Sequence, residues 1–106
     1  MDYNNLLKNK TALVTAGANG IGYAIAKKFE ESGGKVFVCD INQDAVDRVN
    51  KNHQNIKAIF CDLSQTQMIS SMVESAFDYL DHLNIIVNNA GIAGETAGVG
   101  EQTLGG

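Results

Sequence analysis

Apolar residues come in short blocks along this chain, and the blocks alternate between two periods. TALVTA, residues 11–16, is a continuous apolar and β-branched run, the pattern of a strand covered on both faces. Behind it Ile21, Ile25 and Phe29 recur at i, i+4 and i+8 among Lys27, Lys28, Glu30 and Glu31, and Gly33-Gly34 closes the segment. That spacing predicts an amphipathic helix with a glycine stop. The cycle then repeats. KVFVC, residues 35–39, predicts a second strand; Asn42 predicts a cap, and Ala45, Val46 and Val49 mark the apolar side of a helix reaching about residue 52. IKAIFC, residues 56–61, predicts a third strand, and Ser64-Gln65-Thr66-Gln67 has capping-box spacing. Ile69, Met72, Val73, Ala76, Phe77 and Leu80 follow as a helical stripe, assigned to core packing. NIIVNN, residues 84–89, predicts a fourth strand, whereas residues 92–106 show neither period and read as a glycine-rich loop or tail.

Strands separated each time by a helix predict an α/β fold with a parallel sheet, because parallel neighbours need a crossover and the helices supply it. With 106 residues the chain is expected to form one domain. Eight basic and twelve acidic residues give a net charge of −4 with no basic track, which excludes nucleic acid as a partner. No apolar run approaches the roughly 20 residues that span a bilayer, so a soluble cytoplasmic protein is expected. Cys39 and Cys61 each end a predicted strand and make neither a disulfide framework nor a zinc spacing, so they are read as small buried hydrophobes and no metal site is assigned. His53 and His82 stand among polar residues at a helix end and a loop, and are read as structural.

The chemistry lies where the first strand meets the first helix. GANGIG, residues 17–22, places glycines at a helix N-terminus, whose unpaired amides and partial positive charge suit a pyrophosphate. Asp40 ends the next strand 18 residues after Gly22. A carboxylate there can accept both hydroxyls of an adenosine ribose and repel a 2′-phosphate.

TAGANGIG, Asp40, Asp62-Leu63 and Asn88-Asn89-Ala90-Gly91, each at a successive strand end, together resemble the short-chain dehydrogenase/reductase family over about residues 7–104. The resemblance implies a Rossmann-type doubly wound parallel sheet, here incomplete, with about four strands and three crossover helices. It implies that Gly17, Gly20 and Gly22 form the pyrophosphate loop, with Asn19 and Ile21 on the cofactor side. Asp40 resembles the ribose-binding acid of the NAD-preferring members. NADP-preferring relatives put a basic residue near position 19 or 41, where this chain has Asn19 and Ile41, so NAD is expected over NADP. Asp62 and Leu63 resemble the pair at the adenine edge. Asn88, Asn89, Ala90 and Gly91 resemble the turn that supports the central sheet and passes the adenosine ribose. One position departs: the first glycine of the family's loop is Ala16. If its φ is positive, alanine there costs on the order of 1 kcal/mol, with Gly17 expected to supply some of the lost flexibility.

Tyr23 and Lys27 have the spacing of the family's proton-transferring pair, but they sit in the first turns after the phosphate loop rather than on a later helix. The spacing is therefore read as ordinary helical adjacency, and no residue is assigned a catalytic role. The resemblance places the family's catalytic serine, tyrosine and lysine beyond residue 106, so this chain is expected to be the cofactor-binding half of an NAD-dependent oxidoreductase, inactive alone. A small alcohol or carbonyl is its expected substrate once a catalytic half is present. An alternative is a non-catalytic NAD-binding or interaction module. A methyltransferase is a weaker one, because the four motifs together argue against it. The apolar fourth strand would be an exposed sheet edge, which allows a homo-oligomer.

Overall fold

The computed structural model describes residues 5–89. The order of elements is β1 (Thr11–Thr15), α1 (Gly20–Glu31), β2 (Lys35–Asp40), α2 (Gln43–Asn52), β3 (Ile56–Phe60), α3 (Thr66–Leu80) and β4 (Ile85–Asn88). Every strand starts and stops within a residue of the expectation. Residues 90–106, with the expected glycine-rich loop, lie outside the described residues.

All strand pairs are parallel, in the order β3-β2-β1-β4. The chain steps outward from β1 to β2 to β3 and then crosses back to the far side of β1. Right-handed crossovers place the helices of the outward steps on one face and the helix of the return step on the other. The packing follows. Val14, Val36, Val38 and Ala58 meet Ala26, Phe29, Val46 and Val49 on the α1/α2 face. Leu13, Phe37 and Cys39 meet Met72, Ala76 and Leu80 on the α3 face. This is the doubly wound, Rossmann-like arrangement. Cys39 and Cys61 are free and buried.

Three local expectations are corrected. The buried face of α1 is Gly22, Ala26 and Phe29, whereas Ile21 is 72% exposed. The helix is turned by one position because Gly22 must lie against the β1 turn. In α3, Met72, Ala76 and Leu80 are buried, but Val73 and Phe77 are exposed, facing a shallow apolar groove with Leu13, Leu83 and Ile86. That side of α3 overhangs β4, the sheet edge, where Ile85 and Ile86 are also exposed. The capping box is absent. Gln65 is the N-cap with no side-chain bond, and Ser64 turns instead to Asp62. The Asn42 cap forms as expected, its Oδ1 accepting from the Ala45 amide at 3.0 Å.

Candidate functional site

The strand order reverses between β1 and β4, and beyond the carboxyl ends of the strands at such a point lies the usual ligand position in an open parallel sheet. The loop leaving β1 stands at that end. Ala16 has φ +53°, in the left-handed region. Gly17 does not share that conformation, so the flexibility expected of it plays no part. What Gly17 supplies is room, since a Cβ there would lie 2.6 Å from Val38 Cγ1. Gly22 is equally constrained: a Cβ would run into the Ala16 carbonyl and come within 2.8 Å of Asn89 Nδ2. The Asn89 side chain donates to that same carbonyl at 3.2 Å. The end of β4 therefore holds the strained residue that starts the loop.

Asp40 holds the other side. Its Oδ2 accepts from the Ala18 amide at 3.1 Å and its Oδ1 from the Asn42 amide at 3.1 Å, while the Gly17 amide donates to the Cys39 carbonyl at 3.2 Å. The residue is only 9% exposed. An ionised carboxylate offers about four acceptor positions, so two amide bonds leave two for a ligand hydroxyl.

Asn19 precedes α1 in an extended conformation and makes no side-chain cap bond. The first amides of α1, including those of Ile21 and Gly22, therefore have neither an intrahelical partner nor a side-chain cap, and carry the positive end of the helix dipole. Gly20 opens the helix, exposed, with φ +59°. Arg48 was missed by the sequence reading. Its Nη2 donates to Asn19 Oδ1 at 3.4 Å, bringing an exposed cation to the loop. The signal available was topological: α2 leaves the carboxyl end of β2, so its early turns share a sheet edge with the glycines.

The remaining expected residues surround the same edge. Ile41, directly after Asp40, is 66% exposed. Asp62 follows β3, and Oδ1 accepts from the Ser64 amide at 3.0 Å and from Ser64 Oγ at 2.7 Å. Those two bonds hold its carboxyl below the ordinary carboxylate value, and Oδ2 has no bond among the described residues. Leu63 packs against the α3-face core. Asn88 Oδ1 lies 3.2 Å from Thr15 Oγ1 across the β1/β4 pair. Ala90 and Gly91 fall outside the described residues.

Tyr23 points elsewhere. Its hydroxyl lies 2.8 Å from His53 Nε2, and His53 Nδ1 lies 2.7 Å from Glu30 Oε1. The Glu30 carboxylate accepts from Nδ1–H, and the tyrosine hydroxyl, which can donate or accept, pairs with Nε2. Glu30 Oε2 also accepts from the Asn55 amide at 2.9 Å. Lys27 Nζ stands 5.1 Å from the Tyr23 ring centre. The pair with catalytic spacing is part of a strut between α1 and the end of α2, and His53 has the structural role expected of it.

Residues 10–103 match the family model described as short chain dehydrogenase. The chain belongs to the short-chain dehydrogenase family. It is 37% identical over 94 residues to a 3-oxoacyl-[acyl-carrier-protein] reductase of Chlamydia muridarum, covering 84% of this chain and 38% of that one. It is 34% identical over 98 residues to a 3alpha-hydroxysteroid dehydrogenase of Mediterraneibacter gnavus, covering 87% and 39%. Among solved structures, a 3-ketoacyl-(acyl-carrier-protein) reductase from Brucella melitensis complexed with NADH superposes with a TM-score of 0.71 at 28% identity, over 76% of this chain and 33% of that one. A hydroxysteroid dehydrogenase from Escherichia coli gives 0.70 at 33% identity, over 83% and 39%. The chain thus spans about two fifths or less of these relatives. No helix among the described residues is long and apolar enough to cross a membrane.

Proposed function

We propose that this chain supplies the dinucleotide-binding part of a cytoplasmic NAD-dependent oxidoreductase, which moves hydride between NAD(H) and an alcohol/carbonyl pair. Asp40 carries the reading. It ends β2 beside the glycine loop, is held by the Ala18 and Asn42 amides, and keeps acceptor positions for ribose hydroxyls. In this assignment the α1 amides behind Gly17, Asn19, Gly20, Ile21 and Gly22 take the pyrophosphate. Ile41, Asp62 and Leu63 flank the adenine, and Asn89, Ala90 and Gly91 lie along the adenosine ribose. No described residue is given the proton-transfer step. The relatives named above act on oxo and hydroxy groups, which supports an alcohol/carbonyl substrate class.

The test is fluorescence titration of the folded chain with NADH and with NADPH. Saturable NADH binding, weakened about tenfold or more in Asp40→Ala, is expected, since losing hydrogen bonds to a charged acceptor is worth roughly 1.5–3 kcal/mol. A chain that is folded by circular dichroism and binds neither nucleotide overturns the proposal. Tighter binding of NADPH than NADH overturns the NAD preference alone.

A further inference from the structure

We propose a second binding site, for a small organic anion bearing a phosphate or carboxylate, at the opposite end of the sheet from the glycine loop. There the segments entering the strands enclose a cleft of about 420 Å³, within the size range of small-molecule sites. Lys10 directly precedes β1 and Lys35 opens β2, and the Lys35 amide donates to the Lys10 carbonyl at 3.0 Å, which brings both lysines to the same end of the β1/β2 pair, with Thr11 as the register partner of Lys35. Both line the cleft, together with His82. Neither ammonium has a carboxylate within ion-pair distance among the described residues. On a chain of net charge −4, two neighbouring unpaired lysines in one concavity are a local reversal of sign.

Lys35 Nζ lies 4.4 Å from the ring centre of Tyr79, a residue of α3 outside the cleft lining, and that ring holds the ammonium. Three non-glycine residues among those described have positive φ, and two of them, Asn9 at +67° and Asp81 at +72°, line this cleft. His82 Nε2 lies 3.1 Å from the Asn9 carbonyl, to which it donates, joining the two strained turns. Of the acids nearby, Asp81 stands on the lining and offsets one of the two lysines, which leaves the lining net positive, and Glu30 is taken up by His53 and the Asn55 amide.

The experiment is an amide-resolved NMR titration of the full ¹⁵N-labelled chain with inorganic phosphate, with citrate as the carboxylate arm, and with sodium chloride at matched ionic strength. Saturable shifts are expected at Lys10, Gly34, Lys35 and His82 and not at residues 17–22. In Lys10→Gln/Lys35→Gln, affinity should fall about tenfold or more, as losing charge-assisted bonds implies. Lys10 is exposed and Lys35 half-buried over Tyr79, so circular dichroism checks that the variant keeps its fold. Whichever arm binds more tightly names the anion class. Shifts that chloride reproduces, shifts unchanged in the variant, or shifts confined to the glycine loop each overturn the proposal. NADH acts at the other end of the sheet, so failure of nucleotide binding leaves this test intact.

Discussion

Replacing Ala16 with glycine is expected to stabilise this protein without changing what it binds. Ala16 holds φ +53°, and an L-residue in the left-handed region carries a penalty of roughly 1–2 kcal/mol. Glycine removes that penalty but loses about 0.5–1 kcal/mol more backbone entropy on folding. The difference is a net gain of about 0.5–1 kcal/mol, or a rise in urea midpoint of roughly 0.5 M at the slopes usual for small domains. The carbonyl that accepts from Asn89 belongs to the backbone and stays in place, so NADH affinity should remain within about threefold of the parent. Urea unfolding followed by circular dichroism, with NADH titration of both proteins, measures the two quantities. A glycine variant less stable than the parent would refute the reasoning, because it would mean that the methyl packs favourably enough to outweigh its own strain. Asn89→Ala provides the control. It should destabilise both backgrounds by a similar amount, about 1 kcal/mol for one hydrogen bond, since the acceptor is common to them.

Other outcomes follow from the same geometry. Tyr23→Phe removes only the bond to His53, so stability should fall by about 1 kcal/mol while NADH affinity holds; a large loss of affinity in a folded variant would return Tyr23 to the cofactor site. Phe37→Ala empties a fully buried position between the sheet and α3, beside Tyr79, and should cost about 3–5 kcal/mol in urea unfolding. Arg48→Ala should weaken NADPH binding more than NADH binding, widening the ratio of dissociation constants several-fold, because its guanidinium stands at Asn19; an unchanged ratio would separate Arg48 from cofactor choice. Burial, with the neighbouring Cys61, pushes the Cys39 thiol from 9.0 to about 11. The folded state then keeps a proton that the unfolded state releases, so this group makes stability fall as pH rises from 9 to about 11, and Cys39→Ser should flatten that slope. The same burial predicts slow alkylation of Cys39 at neutral pH until the chain is unfolded.

What the sequence made legible was whatever chain direction and period determine. A parallel sheet sends each strand's carboxyl end to the same edge, so reading Gly17–Gly22, Asp40, Asp62 and Asn89 as strand-end residues already gathered them in one place. What it hid depended on contacts between elements. Nothing local announces that Arg48 reaches Asn19, 29 positions away, or that Ile21 turns outward because Gly22 must pass beneath the Ala16 carbonyl. Tyr23 and Lys27 show the difference most plainly. A spacing of four makes two residues neighbours on any helix, whatever they do. What separates a proton-transfer pair from a strut is the partner of the hydroxyl, and here that partner is His53, contributed by the far end of α2 and fixed by Glu30. The same rule applies to Asp40. Its place at a strand end was readable from the chain, but the orientation of its carboxylate depends on two amides, from Ala18 and Asn42, that hold it and leave half of its acceptor positions for the ribose proposed above.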